Sequence, residues 1–206
     1  MTAWRWSCWN GKIFLHPQQV ADIRNCLCMK WNLWLAAFAV ICVAGCASIG
    51  TPDPLPTVAQ VNLDRYTGTW YEVARLPTPF QKDQERAIAR YTPMGDSQVA
   101  IRNTGIMPDG STRTATGVGT PVEGSNNSKL RITFNEFPAS LMPAAEEGNY
   151  WILALDTEYR YAMVGTPDRD FLWLLSRDKT MPDQVKSRYV TQAQSLGFDT
   201  SKLLSY

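Results

Sequence analysis

Downstream of Cys46 the chain contains neither cysteine nor histidine: Cys8, Cys26, Cys28, Cys42 and Cys46 are its five cysteines and His16 its only histidine. A chain cut at Cys46, as argued below, therefore lacks what Cys-His nucleophiles, Ser-His-Asp triads, histidine-ligated haem and tetrahedral zinc require. Catalysis would have to rest on carboxylates, Lys, Tyr or Ser alone, and neither a metal nor an organic cofactor is expected. Cys26-Leu27-Cys28 has one intervening residue where zinc and redox motifs have two, so it is not read as a site. An excess of one charge is also missing. Four of the 20 basic residues and one of the 19 acidic ones precede Cys46, leaving 16 and 18 and a net charge of −2. That balance argues against a nucleic-acid partner, for which a basic face is needed. Nor is there a long apolar run. Leu33 to Val43 is 11 residues, whereas a bilayer-spanning helix needs about 20.

What is present begins with that run, whose length suits a secretory h-region of roughly 7 to 15 residues. Val43-Ala44-Gly45-Cys46 closes it. Small residues at 44 and 45 let a peptidase approach the backbone, and the Cys46 thiol can carry a diacylglyceryl unit. The segment resembles bacterial lipoprotein signals, departing from them by Val43 where Leu is usual; ordinary secretory cleavage near Ala47 is the alternative. The resemblance implies covalent diacylglycerol and fatty acyl groups on Cys46, a membrane anchor through them, and sorting to the outer membrane, facing the periplasm, because Ala47 and Ser48 rather than Asp follow. Met29-Lys30 supplies a start and a positive n-region, so translation is expected to begin at Met29. Residues 1–28 then form a non-native extension, 29–45 the signal peptide and 46–60 a lipidated cysteine with a proline-rich tether. The prolines of Gly50-Thr51-Pro52-Asp53-Pro54-Leu55-Pro56 favour an extended, semi-rigid spacer.

Residues 61–206 read as one all-β domain. Short apolar and β-branched runs predict strands at Gly68 to Leu76, Ala87 to Thr92, Gln98 to Thr104, Ser111 to Thr120, Lys129 to Phe134, Asn149 to Asp156, Tyr161 to Gly165 and Phe171 to Arg177. Turn residues such as Pro93-Met94-Gly95-Asp96 and Pro108-Asp109-Gly110 separate them. Leu130, Ile132 and Phe134 alternate with Arg131, Thr133 and Asn135, the pattern of one buried and one wetted face. A single amphipathic helix is expected from Thr180 or Met181 to Leu196, with Pro182 in its first turn and Gly197 just past its end. Eight short strands followed by a helix favour a closed antiparallel up-and-down barrel, since closure removes exposed edges.

Three motifs sharpen this reading. Gly68-Thr69-Trp70-Tyr71-Glu72-Val73-Ala74-Arg75, Asp156-Thr157-Glu158-Tyr159-Arg160-Tyr161-Ala162 and Leu172-Trp173-Leu174-Leu175-Ser176-Arg177 stand in order at the first strand, the turn after the sixth and the end of the eighth. Together they resemble the lipocalin family, most closely its bacterial outer-membrane lipoprotein and apolipoprotein D branches. The likeness spans Val61 to Leu204. In a meander all three motifs fall at one end of the barrel, so Gly68, Trp70, Tyr159 and Arg177 should close its floor, with the guanidinium stacked on the indole.

The opposite end is then the mouth, ringed by Pro77 to Arg86, Gly105 to Gly110, Asn135 to Gly148 and Gly165 to Asp170. The third of these is unusually apolar for a loop. It either packs over the rim or meets lipid or a second subunit, which leaves a homodimer open. Inward parity nominates Val99, Ile101, Leu130, Ile132, Phe134, Tyr150, Ile152, Met163, Leu172 and Leu174 as lining residues, about half of them at ligand depth. Glu72 shares parity with Trp70, so it needs a basic partner or serves as the polar handle of the pocket. Lys82 and Arg86 are candidates to meet an anionic head group. The resemblance implies a fatty acid or lysophospholipid ligand, with a role in lipid storage, transport or membrane maintenance. An enzymatic lipocalin acting on a hydrophobic substrate and an envelope protein whose barrel is filled by its own side chains are the alternatives.

Overall fold

The computed structural model describes residues 54–142 and 145–206; the sequence readings for residues 1–53, Cys46 included, lie outside them. A four-residue helix, α1 (Leu63–Tyr66), opens the domain and is capped by Asn62, whose side chain accepts from Arg65 N at 3.1 Å. Eight strands follow: β1 (Gly68–Arg75), β2 (Arg86–Pro93), β3 (Val99–Ile106), β4 (Thr112–Pro121), β5 (Lys129–Phe134), β6 (Tyr150–Leu155), β7 (Tyr161–Gly165) and β8 (Leu172–Ser176). Each pairs antiparallel with the next, and β1 pairs with both β2 and β8, which closes the barrel. The predicted strands are all present, with ends displaced by a residue or two. Helix α2 (Asp183–Ser195) starts later than expected because Pro182, extended at ψ 137°, stands outside it as the N-cap. Gly197 ends it as expected, at φ +89°, and Phe198 N donates back to Ala193 O at 3.0 Å. Not foreseen were α1, a 3₁₀ turn at Ala139–Leu141, a second at Thr200–Lys202, and a short strand β9 (Leu204–Ser205) that joins the outer edge of β1.

Apolar side chains bury themselves on both sides of the barrel wall. Inside lie Trp70, Tyr91, Val99, Ile101, Leu130, Ile132, Ile152, Val164 and Leu175. Outside lie Val73, Leu76, Trp151, Leu153, Met163, Leu172 and Leu174, in one cluster with Tyr189 and Ala193 of α2. Strands β6 to β8 are therefore buried on two faces and lose the alternation that identifies an inner side: every residue of β7 is buried. This corrects the parity expected for Met163, Leu172 and Leu174, which pack against the helix rather than into the barrel.

The β5–β6 seam is the weakest in the wall, with two residue pairs, Lys129 with Trp151 and Leu130 with Tyr150. Asn149 extends it through its side chain. Its Oδ1 accepts from Ile132 N at 2.7 Å and its Nδ2 donates to Ile132 O at 2.9 Å, reproducing the exchange of a backbone pair. Beside this seam runs the segment before α1, fixed by Val58 N to Ile152 O and Val61 N to Asn126 O, both 3.0 Å.

Candidate ligand cavity

The floor is built from the residues nominated for it, although not all by their side chains. Trp70 is fully buried, donates from Nε1 to Tyr66 O at 2.8 Å, and carries the Arg177 guanidinium 3.9 Å from its ring centroid. That guanidinium donates to the carbonyls of Thr69, Arg65, Tyr66 and Tyr159 at 2.8 to 3.1 Å, drawing the ends of three chain segments together. Tyr159 joins by its carbonyl, from a left-handed backbone at φ 59°; its phenol instead stacks under Arg65 at 4.2 Å. Gly68 needs φ +101°, and a Cβ there would stand 3.2 Å from Arg177 Nη1. Above the indole the hydroxyls of Tyr66, Tyr150 and Tyr91 are linked, at 2.8 and 3.0 Å. Burial pushes all three hydroxyls up, that of Tyr91 to about 12, so they remain protonated donors and acceptors.

Above this plug the barrel holds a cavity that opens at the mouth. Ala87, Ala89, Ile101, Ala115, Ile132, Phe134, Trp173 and Leu175 are among the residues of its walls. The small residues on β2 and β4 leave the space; larger side chains there would fill it. Polar groups gather toward the mouth: Glu72, Gln81, Glu85, Asn103, Arg113 and Glu136. Arg113 Nη2 is occupied by Glu85, at 2.8 Å, and by Phe80 O, also 2.8 Å. Glu136 accepts from Thr116 N and Oγ1, which hold its carboxyl below the usual range. Asn103 Oδ1 is buried without a hydrogen-bond partner.

Glu72 has the basic partner expected of a buried carboxyl and also lies on the cavity wall. It lines the cavity, and it is paired: Arg75 Nε stands 3.4 Å away, and Gln81 Nε2 donates to both carboxylate oxygens at 3.0 and 3.2 Å. Burial raises its pKa to about 8 and outweighs the opposing pull of Arg75 and Gln81. Arg75, fully buried, also donates to Leu76 O at 3.0 Å and Lys82 O at 2.5 Å, so it ties the β1–β2 loop, residues 76–85, here called the lid loop, to β1.

Of the other nominated lining residues, Ile101, Ile132, Phe134 and Tyr150 reach the cavity. Val99, Leu130 and Ile152 face inward but pack in the core rather than on the cavity wall. Neither Lys82 nor Arg86 lines the cavity: both are exposed, Lys82 contributes its carbonyl to Arg75, and Arg86 sits 5.7 Å over the Tyr206 ring. The cation on the wall is Arg113, missed because it opens a polar strand whose depth no periodicity reports. Trp173 and Leu175 were missed through the parity of β8; Ala87, Ala89 and Tyr91 share one face of β2 at a spacing of two and were legible. In the apolar rim loop Met142 is buried while Phe137 and Leu141 are 77% and 56% exposed, so the loop both packs and presents apolar surface.

Beside this plugged floor, eight-strand meander and open mouth stands the sequence itself, whose residues 61–206 match a family model described as a lipocalin-like domain. The chain is a lipocalin. It is 35% identical over 170 residues to the outer membrane lipoprotein Blc of Escherichia coli K12, covering 82% of this chain and 92% of that one. To the Blc protein of Vibrio cholerae it is 31% identical, covering 82% and 96%. Apolipoprotein D of Mus musculus is 31% identical over 74% of this lipocalin and 79% of its own length. Among solved structures, insecticyanin from the tobacco hornworm Manduca sexta superposes with TM-score 0.59 at 21% identity, covering 76% and 85% of the two chains. Lobster apocrustacyanin A1 does so with 0.52 at 20% identity, covering 77% and 92%. These last two likenesses are of fold. The loop carboxylates Asp168 and Asp170 belong to the β7–β8 turn, where Asp168 Oδ1 accepts from Thr166 Oγ1 and Asp170 N.

Proposed function

We propose that this lipocalin is a binding protein that holds one single-chain lipid, a fatty acid or a lysophospholipid, while tethered through acylated Cys46 to a bacterial outer membrane, in lipid storage, transport or membrane maintenance. The observation that carries the reading is the cavity itself, apolar along its walls, closed by Trp70 and Arg177 below and open above. An acyl chain gains about 0.8 kcal/mol per buried methylene, enough to draw a lipid in without covalent chemistry. The relatives named as outer membrane lipoproteins support the anchor and the compartment. The space above the floor plug supports this reading over that of an envelope protein whose barrel is filled by its own side chains.

Titration of the delipidated protein with a lysophospholipid and with a fatty acid, followed by Trp173 emission and by calorimetry, tests the pocket. Trp173 lines the cavity whereas Trp70 and Trp151 do not, so the expected signal is saturable, one-site and lost in Trp173→Phe. Absence of heat and of any spectral change with both lipids would overturn lipid binding. The anchor is tested separately by labelling cells with palmitate: wild type incorporates it and sediments with outer membrane, and Cys46→Ser does neither.

A further inference from the structure

We infer that Asn103 makes the cavity selective for a single-chain lipid carrying an uncharged hydroxyl or ester carbonyl a few bonds behind its head group, over a plain fatty acid of the same length. This rests on the lipid-binding reading above. Among the described residues three buried side-chain atoms have no hydrogen-bond partner: Arg75 Nε, Thr78 Oγ1 and Asn103 Oδ1. Arg75 Nε faces the Glu72 carboxylate at 3.4 Å, and of the three residues only Asn103 lies on the cavity wall. Burying an amide oxygen without a partner is costly, and an apolar side chain would build the wall without that cost. Asn149 shows the usual outcome for a buried amide, with its oxygen and nitrogen both matched to the Ile132 backbone.

The strand register explains why the barrel offers Asn103 nothing. On β3 its side chain shares the inner face with Ile101 and Gly105. Directly opposite stand Ala89 of β2 and Ala115 of β4, whose methyl groups neither donate nor accept. Polar groups one step above and below are already engaged. Tyr91, paired with Ile101 on the floor side, is bonded through its hydroxyl to Tyr150 at 3.0 Å. Arg113, paired with Gly105 on the mouth side, is held by Glu85 at 2.8 Å. One such step is two residues, so a ligand whose head group lies at the level of Arg113 presents to Asn103 the atoms within about 7 Å behind it. In a fatty acid these are methylenes, which leave the amide unpaired. In a glycerol-linked lipid they are the hydroxyl and ester of the neck, and in a 3-hydroxyacyl chain they include a hydroxyl. The amide has an acceptor oxygen and two N–H donors, so it can serve either group. A charged group at this depth would meet no counter-charge, because Glu85 and Arg113 neutralise one another.

The test is calorimetric titration of the delipidated protein with two matched pairs of probes, palmitate beside 3-hydroxypalmitate and methyl palmitate beside 1-palmitoylglycerol. The hydroxyl-bearing member of each pair should bind about tenfold more tightly, because its partner leaves the buried amide unpaired. Asn103→Leu keeps the branched shape without the polar atoms, and Asn103→Ala makes room; both should reduce each ratio to about twofold or less. Neither variant loses a bond within the protein, so both should melt no lower than wild type in the absence of lipid. Preference for 1-palmitoylglycerol alone would assign the recognised group to a glycerol neck, and preference for 3-hydroxypalmitate alone to a hydroxyacyl chain. Equal affinities within both pairs would overturn the inference, as would ratios that persist in both variants. Lowered melting of both variants with those ratios intact would mark Asn103 as a packing residue. Failure of the wild type to bind any of the probes would instead strike the lipid-carrier reading.

Discussion

Glu72 shows how one buried side chain couples stability to pH. Its folded pKa of about 8 lies above its ordinary value of 4.5, so between those values the folded state holds a proton that the unfolded chain releases. Stability contributed by the neutral carboxyl is complete below 4.5 and is lost as pH rises through about 8. Glu72→Gln should flatten the pH dependence of urea unfolding across that window; an unchanged slope would assign the titration elsewhere. At the floor, Trp70→Ala removes the platform for Arg177 and opens a cavity, with an expected cost of about 3–5 kcal/mol. Denaturant melts should show that loss while lipid affinity changes less than about threefold, because Trp70 does not line the cavity. The sequence marked Trp70 and Arg177 by their motifs. It did not mark Arg75, whose role depends on a carboxylate three residues back and on carbonyls in a loop that folds over it.

At the level of elements, the decisive feature is that β6 to β8 are covered twice, by the barrel interior and by α2. Strand positions were legible there because such runs are apolar throughout; which residue faces the ligand was not, since parity needs a wet face as its reference. Leu174 and Leu175 separate the two sides. Leu175→Trp should lower lipid affinity at least about tenfold by occupying the cavity, whereas Leu174→Trp should leave affinity alone and destabilise packing under α2 by about 1–3 kcal/mol. Calorimetric titration beside thermal melts distinguishes them, and equal effects of the two on affinity would contradict the assigned faces. The β5–β6 seam gives a second test. Asn149→Ala removes two bonds to Ile132 that stand in for a missing backbone pair, and should cost about 1–3 kcal/mol by chemical unfolding.

Across the whole molecule, the mouth brings together carboxylates from the lid loop, β1 and the rim loop, with Arg113 the cation on the wall and already engaged by Glu85. A free fatty acid anion meets that surface unfavourably at pH above about 8, where Glu72 is charged. Affinity for a fatty acid should therefore rise as pH falls from 9 to 7, while that for a zwitterionic lysophospholipid of equal chain length stays nearly level; parallel pH profiles would remove Glu72 from the head-group zone. The sequence by itself determined the barrel, the terminal helix, the floor and which end opens, because these follow from strand count, turn residues and three local motifs whose positions in a meander are fixed by topology. Tertiary structure decided which faces of the doubly buried strands look inward, how deep each lining residue lies, and which basic side chain reaches the cavity. Those outcomes depend on bulges in β1 and β6, on the packing of α2, and on a lid folded back by Arg75, and each joins residues too far apart in the chain for local pattern to register.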